Sequence, residues 1–279
     1  MKLFDVHTHI FSPELIKNRD KFLSDNAFYA LYSDKKAKIA DHNDLLREMD
    51  SSGTEYAVAL GFAWRNDEFR KHENSYLAEV RYKSGGRILP FASPPVGDNK
   101  SIDDFFSTLS TDVFSGIGEI AFYSGTPDLS YIDILLRHSG KAGIPVSLHI
   151  SEPVGHRYPG KEAGPFSGVV DVIASNTDTR VILAHWGGGL LFYELMPEIS
   201  RIMTNAYYDT AATPFLYNSR IYKAALELVP RNKILYGTDY PLLNNSRYTE
   251  EIIEQTGYEA SEDILFNNSA SLFGVSKDY

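Results

Sequence analysis

The sequence predicts an α/β chain of the (β/α)8 class, a TIM barrel with one long insertion after its first strand. Eight short β-branched or apolar runs alternate with amphipathic segments of about ten to fifteen residues, the pattern of βα units closing on a parallel sheet. The 279 residues are close to the ~250 typical of such a barrel, and no linker or low-complexity stretch divides them, so 1–279 reads as a single domain. No G-x-G-x-x-G stands at the first βα turn, which removes the best support for an open dinucleotide-binding sheet.

The predicted strands are Leu3 to Val6, Tyr56 to Leu60, Ile88 to Ala92, Gly116 to Ile120, Pro145 to Ile150, Val181 to Ala184, Ala206 to Asp209 and Lys233 to Tyr236. Helical periodicity falls on Asp41 to Ser51, Glu73 to Lys83, Ile102 to Leu109, Leu129 to Lys141, Gly168 to Ala174, Leu190 to Ile202, Ser219 to Leu228 and Ser261 to Phe273. Ser219 and Ser261 suit N-caps, and Gly53, Gly85 and Gly143 suit helix stops. The segment from Ile10 to Ala40 breaks the repeat and carries Phe11, Phe22, Phe28, Tyr29 and Tyr32 among many charges. It reads as a lid or subunit contact over the barrel mouth, or as surface decoration.

Composition narrows the function. The net charge of −10 disfavours nucleic acid as a partner, since phosphate binding needs a basic face. With no cysteine there is neither a disulfide framework nor a thiolate, so any metal must be held by nitrogen and oxygen. No apolar run is long enough to span a bilayer, and the first strand begins at once without a secretory signal, so the expected setting is the cytoplasm.

Polar residues at strand ends carry the chemistry. In Asp5-Val6-His7-Thr8-His9 the period of two puts both imidazoles on one side of the strand, where their ring nitrogens can converge on one ion. Glu119 ends the fourth predicted strand, His149 the fifth and His185 the sixth, ahead of Trp186-Gly187-Gly188-Gly189; Asp239 follows the eighth in Gly237-Thr238-Asp239-Tyr240-Pro241. In a barrel all of these face the same end, where active sites are built. His42, His72 and His138 fall in helical segments and read as solvent-facing, and His156 as a loop histidine within reach of substrate or simply on the surface.

These motifs, with Asn267-Asn268-Ser269-Ala270 and Leu272-Phe273-Gly274, resemble the amidohydrolase superfamily. Within it the likeness is to amidohydrolase-related family two, which includes metal-dependent hydrolases and aminocarboxymuconate-semialdehyde decarboxylase-like enzymes. The resemblance implies a divalent metal in the barrel mouth, with His7, His9, His149 and Asp239 as ligands; their types suit zinc, with manganese or iron as other choices. It makes His185 either a holder of a substrate oxygen or a ligand of a second ion; the bland reading is a histidine hydrogen-bonded beneath the glycine turn. Glu119 either bridges two ions or orients a histidine ligand. Arg65 could hold a substrate carboxylate or make a surface salt bridge, and Trp186, Tyr123 and Tyr240 could line a pocket or pack as core.

The leading expectation is hydrolysis of an ester, lactone or amide of a small molecule by metal-activated water, with Asp239 moving the proton and His185 stabilising the oxyanion. Non-oxidative decarboxylation of an aromatic or unsaturated acid is the alternative. A TatD-like nuclease and a catalytically silent binding barrel rank lower. A homodimer is the assembly the resemblance favours.

Overall fold

The computed structural model describes residues 1–121, 128–161, 166–244 and 248–275. Eight parallel strands pair in sequence order: β1 Leu3–Thr8, β2 Thr54–Ala59, β3 Ile88–Ala92, β4 Gly116–Ile120, β5 Val146–Leu148, β6 Val181–Leu183, β7 Ala206–Asp209 and β8 Ile234–Leu235. Closure between β1 and the chain after β8 comes from Val6 N–H donating to the Tyr236 carbonyl (2.8 Å), Asp239 N–H to His7 (2.9 Å) and His9 N–H to Tyr240 (2.7 Å). The sheet is therefore the expected barrel, and the parallel bridge of Thr8 with Tyr240 completes it.

Local signals explain the main helices. The first of the regular crossover helices, His42–Ser52, starts in a capping box in which Asp41 Oδ1 accepts from Asn43 and Asp44 N–H while Asp44 returns a bond to Asp41 N–H. It ends on Gly53 in the left-handed conformation (φ 74°). Asp67–Lys83 begins six residues earlier than its apolar spacing predicts, because Asn66 caps it. Leu129–Ala142 runs from the Asp128 cap to left-handed Gly143. The expected single helix from Leu190 is split: Leu190–Leu195 is a 3-10 turn, and Pro197, at the first position of Pro197–Ile202, starts a new helix. Ser219 caps Arg220–Leu228 by position without a side-chain bond; Ser261 lies inside the short helix Tyr258–Glu262, not at a cap. No helix among the described residues is long and apolar enough to cross a membrane.

The insertion after β1 is neither a loose lid nor a decoration but a packed wall. Its short helices Pro13–Lys17, Arg19–Phe22 and Asn26–Tyr32 bury Phe11, Leu15, Phe22 and Phe28 against Phe62, Trp64 and Phe69 of the second βα unit. Phe28 stacks on Trp64 with ring centroids 5.3 Å apart. Asp25, almost fully buried, joins the two parts: Oδ1 caps the third helix through Ala27 and Phe28 N–H, and Oδ2 accepts from Arg65 (2.7 Å) and Asn66 N–H (2.6 Å).

At the other end of the barrel the C-terminal helix Asn268–Phe273 packs Phe273 on Phe4 and Phe91. Asn268 Nδ2 donates to the carbonyls of Arg231 and Ile234, both at 2.8 Å, which pins this helix to the start of β8 and gives the Asn267-Asn268 motif a structural purpose. Asn268→Ala removes both bonds from a buried position and is expected to cost about 1–3 kcal/mol. A lower urea midpoint with an unchanged denaturant slope is the readout.

Candidate metal centre

Five side chains from β1, β4, β6 and the turn after β8 converge at the carboxyl end of the barrel. His7 Nε2 lies 3.1 Å from His9 Nε2, 3.8 Å from Glu119 Oε1 and 3.7 Å from Asp239 Oδ1. His9 Nε2 is 3.4 Å from Asp239 Oδ1 and 3.7 Å from Glu119 Oε2. His185 Nε2 is 3.9 Å from Asp239 Oδ2. Two trios have ligand atoms close enough to share an ion: His7, His9 and Asp239, and His7, Glu119 and His185. His149 belongs to neither; its Nδ1 faces Glu119 Oε1 at 3.0 Å and its Nε2 faces Ser151 Oγ at 3.1 Å.

Backbone geometry aims these groups. Gly237 has no room for a side chain, since a Cβ there would stand 2.9 Å from that of His7. His185 (φ 55°), Trp186 (φ 61°) and Asp239 (φ 67°) are all left-handed, a conformation costly for residues with a Cβ. Hydrogen bonds hold two of them there: His185 N–H donates to Asp209 Oδ1 (2.8 Å) and Asp239 N–H to the His7 carbonyl.

Sequence reasoning missed three residues. Asp209, fully buried at the end of β7, accepts from His7 Nδ1 at 2.9 Å through Oδ2 and from His185 and Ala211 N–H through Oδ1. Asp5 accepts from His7 N–H, Thr238 N–H and the Thr238 hydroxyl, tying β1 to the turn after β8. Burial lifts Asp5 to about 7 against those bonds. Tyr32 of the insertion stands in the field of Asp239 and Glu119, which adds to burial in raising its hydroxyl pKa. Only an acid ending a strand could have flagged Asp209; its partner is 202 residues away.

Several expected pocket residues are placed differently. Trp186 is fully buried, with its indole N–H on Thr213 Oγ1 (2.9 Å) and its ring 5.8 Å from Tyr222, because the left-handed turn swings it into the core. Tyr240 turns toward Asp44 and Glu48, which with burial raise it to about 12, and lines a depression that contains none of the convergent donors. Tyr123 lies outside the described residues. Arg65 lines a cavity of about 150 Å³ beside Glu119, together with Trp64, Ala121 and Tyr131. His42, His72 and His138 are partly buried and partnered, by Tyr76, Ser12 and Asp103 respectively; His156 is exposed.

The electrostatics are those of a cation sink. Burial works against a charged His7, yet Asp209, Glu119 and Asp239 outweigh it and lift its pKa to about 10. Burial opposes ionised Glu119 too, and His149, His7 and His9 overcome it, holding the carboxyl well below the usual range. Asp239 is lowered in the same way, against burial, by His9, His7 and His185. His149 is raised by Glu119 despite burial, whereas burial, His149 and His7 lower His185 and keep it neutral.

The model of the amidohydrolase family matches residues 4–275. The chain belongs to the amidohydrolase family. No curated protein matches this amidohydrolase. Among solved structures it is similar to 5-carboxyvanillate decarboxylase from Sphingomonas paucimobilis (TM-score 0.76, 13% identity, 99% of each chain covered). It is also similar to dihydroxybenzoic acid decarboxylase from Polaromonas sp. JS666, solved with bound manganese and 2-nitroresorcinol (0.73, 17%, 98% of this chain and 97% of that one). A third is 2,6-dihydroxybenzoate decarboxylase from Rhizobium (0.71, 16%, 98% of each). At these identities the likeness is one of fold.

The raised His7 pKa has a consequence for chelator-treated protein. A folded value of about 10 against 6.5 means that the stabilisation from this group is fully present below pH 6.5 and lost as pH rises through 10. Urea midpoints across that range should fall, and His7→Gln should flatten the part of the slope that the imidazole supplies.

Proposed function

We propose that this amidohydrolase is a metal-dependent lyase that removes carbon dioxide, non-oxidatively, from an aromatic or unsaturated carboxylic acid. The observation that carries the reading is that the donors describe one centre. His7 Nδ1 is engaged by Asp209, so Nε2 remains for a metal, and His7 belongs to both trios. Two ions joined by a carboxylate sit ~3.5–4 Å apart and need separate donor sets. The decarboxylases of similar fold support the same choice over hydrolysis, the first expectation from the sequence.

The residues fit a divalent ion on two counts. His7 Nε2 and His9 Nε2 face each other at 3.1 Å, an approach that a shared cation would relieve, and the surrounding carboxylates favour positive charge. His7, His9, Glu119 and Asp239 would hold it, with His149 positioning Glu119 and His185 left beside it for the substrate; the nitrogen and oxygen set suits manganese, zinc or iron. When bound, the ion supplies an electrophile that orients the acid and draws charge from it.

The remaining chemistry belongs to side chains. The cavity beside Glu119, about 150 Å³, is close to the volume known to hold a single benzene ring. Arg65 at its wall is placed to pair with the carboxylate through parallel hydrogen bonds. His185, kept neutral, can donate to a substrate oxygen. As the bond from ring carbon to carboxylate breaks, carbon dioxide leaves and the electron pair stays on carbon, which must then be protonated. Asp239, between His9 and His185, is the group placed to move that proton: its lowered pKa holds it as a carboxylate, so it would first take a proton from solvent and then pass it to the carbon.

The test is a panel of hydroxybenzoic and unsaturated acids, scored by carbon dioxide release from manganese-loaded protein, beside aryl esters and lactones scored by proton release. Release of carbon dioxide from at least one acid is expected, with Asp239→Asn slower by about 100-fold or more. Ester or lactone cleavage with no carbon dioxide from any acid would assign the site to hydrolysis instead. On the active acid, Arg65→Ala should raise KM by about tenfold and leave kcat within about twofold, the signature of lost uniform binding.

A further inference from the structure

The 3-10 turn Leu190–Leu195, which follows the glycines after His185-Trp186, is sided the wrong way round for a surface that meets water. Residues three apart eclipse one another in such a turn, so its side chains form three ridges. Leu191 and Glu194 make the ridge that faces the barrel, and both are buried. Phe192 and Leu195 lie on a second ridge, Tyr193 and Met196 on the third, and these four are 42%, 68%, 48% and 43% exposed. From Phe192 to Met196 the one charged residue therefore points inward and the four apolar residues point out.

Glu194 holds this orientation. Its Oε1 accepts from the Tyr208 hydroxyl of β7 at 2.8 Å, and Lys233 Nζ stands 3.7 Å from Oε2 while donating to the Met203 carbonyl at 2.6 Å. Neighbouring loops extend the surface. The Tyr193 ring lies 5.9 Å from that of Phe166, which opens the helix Phe166–Ser175, and the Phe192 ring 6.3 Å from that of Tyr217. Phe215, on the short helix Thr213–Leu216 next to Tyr217, is 49% exposed. All of these segments follow the carboxyl ends of β5, β6 and β7, so the patch is the rim of the mouth on the side away from the packed insertion.

Size and charge select what covers it. With each side chain about half bare and aromatic ones presenting about 150–250 Å² apiece, the five exposed residues leave on the order of 500 Å² of apolar surface. That is near the top of the ~300–600 Å² of the largest patch on a monomer, and it matches the ~65% apolar share of the ~800 Å² that each partner contributes to a homodimer of standard size. An isologous contact sets a surface against itself, which disfavours charge of one sign at the centre and favours both signs at the edge. The run from Phe192 to Met196 has no exposed charge, and Glu198 and Arg201, exposed on Pro197–Ile202, set an anion and a cation beside it. An anionic lipid surface is the poorer match to a chain of net charge −10.

We infer that this rim is the two-fold interface of a homodimer, in which Phe192, Tyr193, Leu195, Met196 and Phe215 of one copy pack on the same face of the other, beside the turn that presents His185. The inference stands apart from the decarboxylase reading, since it uses neither the metal nor the substrate.

Sedimentation equilibrium of the manganese-loaded protein at micromolar concentration tests it. The wild type should have about twice the 31.3 kDa of one chain. Leu195→Glu brings two like charges together within the contact and should weaken the dimer by about 100-fold or more, giving the mass of one chain with metal content and circular dichroism unchanged. Phe215→Glu, on a separate loop, makes the same test should the first variant fail to fold. Tyr82→Glu, which charges an exposed ring near the end of Asp67–Lys83 and away from the mouth, should leave the dimer intact. A wild type with the mass of one chain, a dimer that survives both Leu195→Glu and Phe215→Glu, or one that Tyr82→Glu abolishes as well would each overturn the interface. A monomeric wild type that sediments with phosphatidylcholine vesicles would overturn it in favour of a lipid surface.

Discussion

The hydrogen bond from His7 Nδ1 to Asp209 is the constraint on which the site depends. A donor at Nδ1 leaves Nε2 as the nitrogen that faces His9, Glu119 and Asp239, so one carboxylate at the end of β7 decides which face of the ring is available. The other Asp209 oxygen takes the His185 N–H and so holds that residue in its left-handed turn. A single buried aspartate therefore sets the orientation of groups on β1 and β6 together. The same charge, with Glu119 and Asp239, overcomes the burial that would otherwise keep His7 neutral. Carboxylates that retain a proton at a buried imidazole to high pH are equally suited to retain a dication.

Strain is spread through the rest of the mouth in the same manner. Left-handed φ values at His185, Trp186 and Asp239 each cost on the order of 1–2 kcal/mol, and each has a local counterweight. Asp209 holds the first, the bond from indole to Thr213 and full burial hold the second, and the His7 carbonyl holds the third. Because Asp5 ties His7 N–H to Thr238, the strand that presents two imidazoles and the turn that presents Asp239 are one hydrogen-bonded unit. The donors can therefore be crowded within a few ångströms without the backbone giving way.

What the sequence discloses of this arrangement follows from how far each signal reaches. The barrel and the five convergent donors were legible because strand alternation and the βα repeat are local periodicities, and a barrel sends every strand end to one face. Asp209 was not legible, since a carboxylate that supports a histidine on a distant strand leaves no spacing to read. Trp186 and Tyr240 look like pocket residues on paper; the φ of Trp186 and the course of the chain around Tyr240 send them elsewhere, and neither follows from residue type. The split after Leu195 was written in Pro197, a helix-starting residue that the apolar spacing masked.

The insertion after β1 shows why the mouth is asymmetric. Asp25 binds Arg65 and Asn66 through their backbone N–H groups, so the main chain of Arg65, a residue exposed at the wall of the cavity, is held by a buried carboxylate. Phe28, stacked on Trp64, fixes the residue next to it, and Tyr32 carries the same helix up to the field of Asp239 and Glu119. An aromatic layer thus does for the β2 side what hydrogen bonds do for the β7 side. Aromatic packing behind the cavity fixes where the charges of Arg65, Glu119 and Asp128 stand along its wall, even though Arg65 itself is exposed. An exposed arginine on the β2 side and a cluster of carboxylates and imidazoles toward the β7 side therefore give the two sides of the mouth different charge by construction.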